Sequence, residues 1–255
     1  MNPPIPGFLF PFMIYGTLAT LAALFFGLNR SLKIANWSTQ DRGKAIWAAT
    51  ALITIFYFAA LIPSRSSFYA GPATRIPTIQ YGILTPIVIG TLLFLWWRPF
   101  HRVVEAVPQQ WLVGLQFFRV EGVIFLILYA AGRLPRQFAW PAGIGDVLVG
   151  LLAPVVALAH LRNPRHASTL LRAWNLLGLA DLAVAITTGL LTSPGPFHLL
   201  ALDTPNLLIS RYPLAMIPVF LVPLAILLHL ASLRKLRQER SVQQPSTQHL
   251  VSNHG

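Results

Sequence analysis

The 255-residue chain contains no cysteine, which removes disulfide frameworks, thiolate metal sites and cysteine nucleophiles from consideration. Charge is scarce too. Only 10% of residues are Asp, Glu, Lys or Arg, against about 25% in an ordinary soluble domain. Acidic residues are rarest, 7 against 19 Lys and Arg. No Gly-rich phosphate loop, His-Glu-x-x-His helix or Ser-His-Asp arrangement is present. An enzyme would therefore lack an evident nucleophile, metal set or cofactor motif, and no metal or cofactor is assigned. The loops between apolar runs are short, leaving no room for a separate soluble domain.

What the chain does have is hydrocarbon: 55% hydrophobic residues and a mean hydropathy of +0.62. Seven apolar runs, near 8–28, 44–62, 78–97, 111–131, 139–160, 171–192 and 212–232, are each long enough to cross about 30 Å of lipid. Backbone groups in lipid must bond within their own segment, so each run is expected to be a helix. The fold class predicted is all-α: a polytopic bundle of about seven transmembrane helices over residues 1–236. Residues 237–255 form a polar tail expected to be disordered and cytoplasmic.

The charge of +12 is distributed as a membrane protein's would be. With the N-terminus outside and uncleaved, 13 cations fall on the inner side and 5 on the outer, with Arg119 inside the membrane. That split obeys the positive-inside rule with the C-terminus inside, and it makes nucleic acid an unnecessary partner. The bilayer is the partner expected. Trp96, Trp97, Trp111, Trp140 and Trp174 fall at span ends, as an aromatic belt would. His160 and His229 lie near the inner interface, where histidines are ordinarily solvated, and are not assigned to haem.

Two connectors carry patterns. In 98–109, Phe100, Val103, Val104 and Val107 recur at helical spacing, predicting a short helix lying on the inner interface. In 193–210, Thr204 followed by Pro205 reads as an N-cap and first helical position, predicting a short outer helix.

The functional candidates are the charges inside the spans: Arg119, Glu121, Asp146 and Asp181. Intramembrane ionisable groups are functional-site hypotheses by default. Residues two apart on an α-helix project about 200° apart, so Arg119 and Glu121 cannot pair, and the fourth span must meet protein or water on two sides. It is expected near the bundle centre. Gln116 and Gly122 share the face of Arg119, and phenylalanines 117, 118 and 125 share that of Glu121. Small residues flank both aspartates, which places them between helices. By helical rise Arg119 stands about 12 Å from the inner end of its span, Asp181 about 13 Å and Asp146 about 22 Å. Asp181 is therefore the expected direct partner, with Asp146 joining through water or a tilted helix. Gln116 and Asn175 complete the candidate ligand- or proton-binding set.

The phrases "FFRVEG", "LPRQFAWPAGIGD", "WNLLGLADL" and "IPVFLVPLAILLHLASLRKL" resemble a family of uncharacterised bacterial multi-pass membrane proteins over about residues 111–237. That resemblance implies a bacterial inner-membrane setting and carries no activity with it. One cation facing three carboxylates leaves an excess of buried negative charge, which a proton or a cationic ligand would neutralise. The expectation is a small-solute or proton-coupled transporter. A seven-helix sensor signalling through a cytoplasmic partner is the alternative, and an intramembrane enzyme using carboxylate acid and base the third reading.

Overall fold

The computed structural model describes residues 4–70 and 77–243. Its helices are α1 (Leu9–Ile34), α2 (Thr39–Arg65), α3 (Ile79–Trp96), α4 (Arg98–Ala106), α5 (Gln109–Gly114), α6 (Val123–Ala130), α7 (Arg136–Arg162), α8 (Pro164–Thr192) and α9 (Val222–Gln243). A 3-10 segment, Leu115–Gly122, joins α5 to α6, and a π turn, Ile217–Leu221, leads into α9. Among the described residues there is no strand, and seven helical units are long and apolar enough to cross a bilayer.

Local chemistry sets the joints. The Ser38 hydroxyl accepts from the Asp41 amide at 3.1 Å and starts α2, as an N-cap serine should. Asn163 alone separates α7 from α8. Its side chain accepts from the His166 amide at 3.4 Å, and Pro164 takes the first helical position, where its missing N–H costs nothing. Hydropathy does not register this turn, because the first turns of α8 are polar. The helix therefore begins well before residue 171.

The last span, not the fourth, is the central helix. Two thirds (67%) of its most apolar window is buried, against 44% for the fourth and fifth spans. Leu9, Ile124, Leu182 and Phe220 all pack fully buried in one core around it. The sequence pattern places two charges on opposite faces of the fourth span, but one of those faces needs only a single neighbouring helix, α1. The fourth span thus sits between α1 and the α7–α8 pair.

The short interfacial helix forms as α4, and α9 holds its C-terminal end. Lys235 Nζ donates to the carbonyls of Glu105 at 2.6 Å and Val107 at 2.8 Å, where a cation also meets the negative end of the helix dipole. The helix expected after Thr204 does not form. The Asn206 amide is tied back to the Thr192 carbonyl at 2.8 Å, and its side chain closes a turn on the Ile209 amide at 3.3 Å. Such local side-chain bonds compete with helix, and the segment instead buries Leu208, Ile209 and Leu214. The last helix runs to Gln243, past the boundary expected at residue 237. The remainder of the expected tail lies outside the described residues.

Candidate functional site

The fourth span overwinds where its charges lie. With three residues per turn, positions three apart eclipse one another. Gln116, Arg119 and Gly122 therefore form one straight row, and all three are buried. An α-helix would let that row drift by about 60° at each step. The overwinding keeps an amide, a guanidinium and a gap in register along the α7–α8–α9 side. Leu115, Phe118 and Glu121 form a second row, which turns Glu121 to α1.

Arg119 is the hub. Its Nε donates to Asp146 Oδ1 at 2.8 Å, and its Nη2 reaches the same oxygen at 2.8 Å. Nη2 also donates to Asp181 Oδ2. Nη1 reaches the Gly178 carbonyl at 3.4 Å and His229 Nε2 at 3.2 Å. The guanidinium thus sits between two carboxylates on adjacent helices.

Asp146 is a direct partner, contrary to the depth argument, and the Asn163 turn explains why. Asp146 and Asp181 stand almost equally far in sequence from that turn, so each rises about 25 Å from it along its own helix. Span ends taken from hydropathy truncate α8 and make the two appear staggered.

Each charge occupies a notch left by a glycine on a neighbouring element. A β-carbon at Gly122 would fall 2.9 Å from Asp146 Oδ2, and one at Gly145 would collide with the Asp181 carboxylate. A β-carbon at Gly178 would meet the His229 ring and come within 3.1 Å of Arg119 Nη1, and one at Gly16 would meet Glu121, 2.8 Å from Oε1. Glycine lets helices approach closely, and here the space it leaves is filled by polar side chains.

The site extends further than the charges. His229 is fully buried, not solvated at an interface. Its Nδ1 lies 2.9 Å from Asn175 Oδ1, and its Nε2 faces Arg119. Arginine can only donate, so Nε2 accepts and the ring proton sits on Nδ1. Asn175 Nδ2 donates to Ser232 Oγ at 2.9 Å, and Gln109 Nε2 donates to the same oxygen at 2.8 Å. Gln116 Nε2 donates to the Ala225 carbonyl at 2.9 Å. Trp174, expected in an aromatic belt, is buried beside this chain. Its ring centroid is 5.0 Å from that of His229, and its Nε1 donates to the Val149 carbonyl at 3.2 Å.

Of the six candidates, Arg119, Asp146, Asp181 and Asn175 share one connected network, and Gln116 lies in the same buried row. Glu121 stands apart. It accepts from Thr20 Oγ1 at 3.4 Å, and its buried Oε2 has no hydrogen-bond partner among the described residues. Phe118 remains beside it, whereas Phe117 turns outward at 51% exposure. Sequence reading missed His229, Ser232 and Gln109. The available signal was spacing: Ser232 follows His229 by three residues, on one face of the last span.

Two small voids flank the hub. One of about 20 Å³ touches Arg119, Glu121 and Asp146. The other, about 40 Å³, runs from Asp146 towards Gln80 and Ser193 at the end of the bundle away from α4. Each exceeds the volume of about 10–15 Å³ that a water needs; Arg119, Glu121 and Asp146 are the polar side chains of the first, and Gln80, Asp146 and Ser193 those of the second, in otherwise apolar linings. Among the described residues no group of three or more His, Asp or Glu is arranged to hold a metal ion.

Neither the curated proteins nor the solved structures contain a match to this chain. A family model described as a domain of unknown function (DUF8737) matches residues 76–237. The matched stretch includes every residue of the Arg119 network but not α1, which carries the Glu121 contacts. The chain, matched over more than half its length by that model, belongs to the DUF8737 family.

Proposed function

We propose that this protein is a proton-coupled transporter of the bacterial inner membrane, with its N-terminus outside, its C-terminus inside, and the Arg119–Asp146–Asp181 cluster as the proton site. The observation that carries the reading is the continuity of the polar path. It runs from Gln109 through Ser232, Asn175, His229 and Arg119 to Asp146, and then through a water-sized void to Gln80 and Ser193. Two aspartates sharing one guanidinium carry one formal negative charge too many for a dry interior, and a proton neutralises it at least cost.

Register alone does not account for the arrangement. A clamp fixing helix positions needs one ion pair, whereas here four polar side chains, His229, Asn175, Ser232 and Gln109, lead away from the pair to one end of the bundle. Irregular winding also brackets the cluster, with the 3-10 segment on one side and the π turn on the other. Both are geometries that recur at hinges and functional sites. Glu121 is the second proton acceptor, joined to the hub by the one-water void.

Orientation and transport are separately testable. Reporter fusions after residues 35 and 240 are expected to read inside, and a fusion after residue 70 outside, because the basic connectors gather at the α4 end. An outside signal at 240 would reverse the topology. In vesicles, a pH jump across the bilayer is expected to decay at least about tenfold faster with wild-type protein than with Asp146→Asn, the rate ratio of a barrier raised by about 1.4 kcal/mol. Folded wild-type protein that leaks no faster than protein-free vesicles, at any driving potential, would remove the proton path and leave a structural clamp.

A further inference from the structure

The first three spans contribute little to the charge network but enclose a different feature. α1, α2, α3, α9 and the start of the fourth span line a half-open hollow of about 620 Å³, floored by the apolar face of α4. Its walls are hydrocarbon, with Leu24, Leu52, Phe56, Leu227 and Leu228 among them, and Arg234 and Arg237 stand at its edge. A second hollow of about 570 Å³ lies on the other side of Phe100 and Val103, lined by Lys44 and Arg102 with Trp37 and Trp97. The two share Ala49, Leu52, Phe100 and Val103 as a common wall.

Three properties of this region identify an occupant. The volume lies within the range of about 300–1,000 Å³ typical of ligand sites. Water gains nothing there, because an apolar cavity offers it no hydrogen-bond partners and stays dry. An unfilled hollow would in turn forfeit the dispersion contacts of every wall atom. Only a hydrocarbon chain satisfies both conditions. The charge at the rim is then decisive. Arg234 lies over the Phe94 ring at 4.9 Å and Arg102 over Trp37 at 5.8 Å. Neither they nor Lys44 and Arg237 form an ion pair among the described residues. Arg234 and Arg237 line the first hollow, which has no acid in its lining, and Lys44 and Arg102 line the second, where Asp41 is the one acid. Basic pockets of this kind between spans hold anionic lipid headgroups.

We propose that this hollow is a specific binding site for an anionic phospholipid, its acyl chain lying between α1, α2, α3 and α9 and its phosphate held at the rim by Arg234 and Arg237. α4 is the floor of the site, and its latch to α9 through Lys235 closes the slot under the chain. The site gives the first three spans a role, and no residue of the polar path lines the hollow.

Native mass spectrometry of delipidated protein tests the assignment, with dioleoyl phosphatidylglycerol, dioleoyl phosphatidylcholine, free oleate and inorganic phosphate as probes. Phosphatidylglycerol is expected to bind saturably and at least about tenfold more tightly than phosphatidylcholine. Each rim cation contributes about fivefold, so Arg234→Gln with Arg237→Gln should reduce phosphatidylglycerol to the phosphatidylcholine level. Ala49→Phe, which fills the shared wall, should weaken both lipids while retaining a monodisperse elution profile. Should that variant aggregate, Ala23→Leu on the α1 wall makes the same comparison. Equal affinity for the two lipids, or unaltered binding to the wall variant, would overturn the site. Inorganic phosphate displacing the lipid would reduce it to an anion site, and oleate binding as tightly as phosphatidylglycerol would reassign it to single-chain amphiphiles. Either result overturns the phospholipid assignment. No proton gradient is present, so the outcome is separate from that of the leak assay.

Discussion

Arg119→Leu is expected to lower the unfolding free energy in mixed micelles by about 3–5 kcal/mol, the cost of stranding buried charge when one partner of an ion pair is removed. The guanidinium is almost fully buried and bonds Asp146, Asp181 and His229 together. Leucine would leave two carboxylates facing each other and Nε2 of His229 without its donor. The cause is the stranded charge more than the lost volume, and that distinction can be measured. Asp146→Asn introduced into the Arg119→Leu background should cost far less than it does in the wild type. The coupling energy should lie between about 1 and 3 kcal/mol, in the range found for residues that share one network. Additive losses across this cycle in reversible denaturant unfolding would dismiss the hub.

The second large effect comes from a single methyl group. Gly145→Ala is expected to destabilise the fold by about 1–3 kcal/mol or more, the range for overpacking a tight interior, because its β-carbon would occupy the space of the Asp181 carboxylate. Asp181 has little freedom to move aside, since its far oxygen is held by Arg119. Gly114→Ala provides the control. Its β-carbon would meet only that of Ala157, at 4.0 Å, so the better helix propensity of alanine should add about 0.5–1 kcal/mol of stability. Both substitutions make the same chemical change on the same helical hairpin region. Opposite signs in thermal unfolding would locate the effect in the notch. Equal and small shifts would show that Asp181 is not held against Gly145.

Much of the fold is legible in the sequence because long apolar runs allow so few alternatives. An apolar run of about twenty residues can be satisfied only as a helix, so the seven helical units and α4 follow from hydropathy and spacing alone. The same holds for the row containing Gln116, Arg119 and Gly122, since an α-wheel and a 3-10 wheel both place these residues close together. It holds for the separation of Glu121 from Arg119 as well, because neither winding lets residues two apart face one partner. Small residues beside each aspartate were also visible, but the glycines that receive the two carboxylates, Gly122 and Gly145, lie on neighbouring helices and only packing reveals them.

Tertiary structure decided the rest. Hydropathy measures where a helix is apolar and not where it begins. The polar opening turns of α8 therefore went unseen, and with them the equal depth of Asp146 and Asp181. The Thr204–Pro205 signal is a local capping preference, and it was overridden by the bond from Asn206 to Thr192, which sequence proximity does not reveal. His229 looked interfacial because its neighbours in sequence include many cations, yet the turns of α9 carry those cations outward and leave the ring facing Asn175 and Arg119. The composition established that buried charge had to be compensated. Which groups compensate it depends on how four helices pack, because a guanidinium bond at 2.8 Å requires side chains from different spans to meet within a few tenths of an ångström, a precision that only packing supplies.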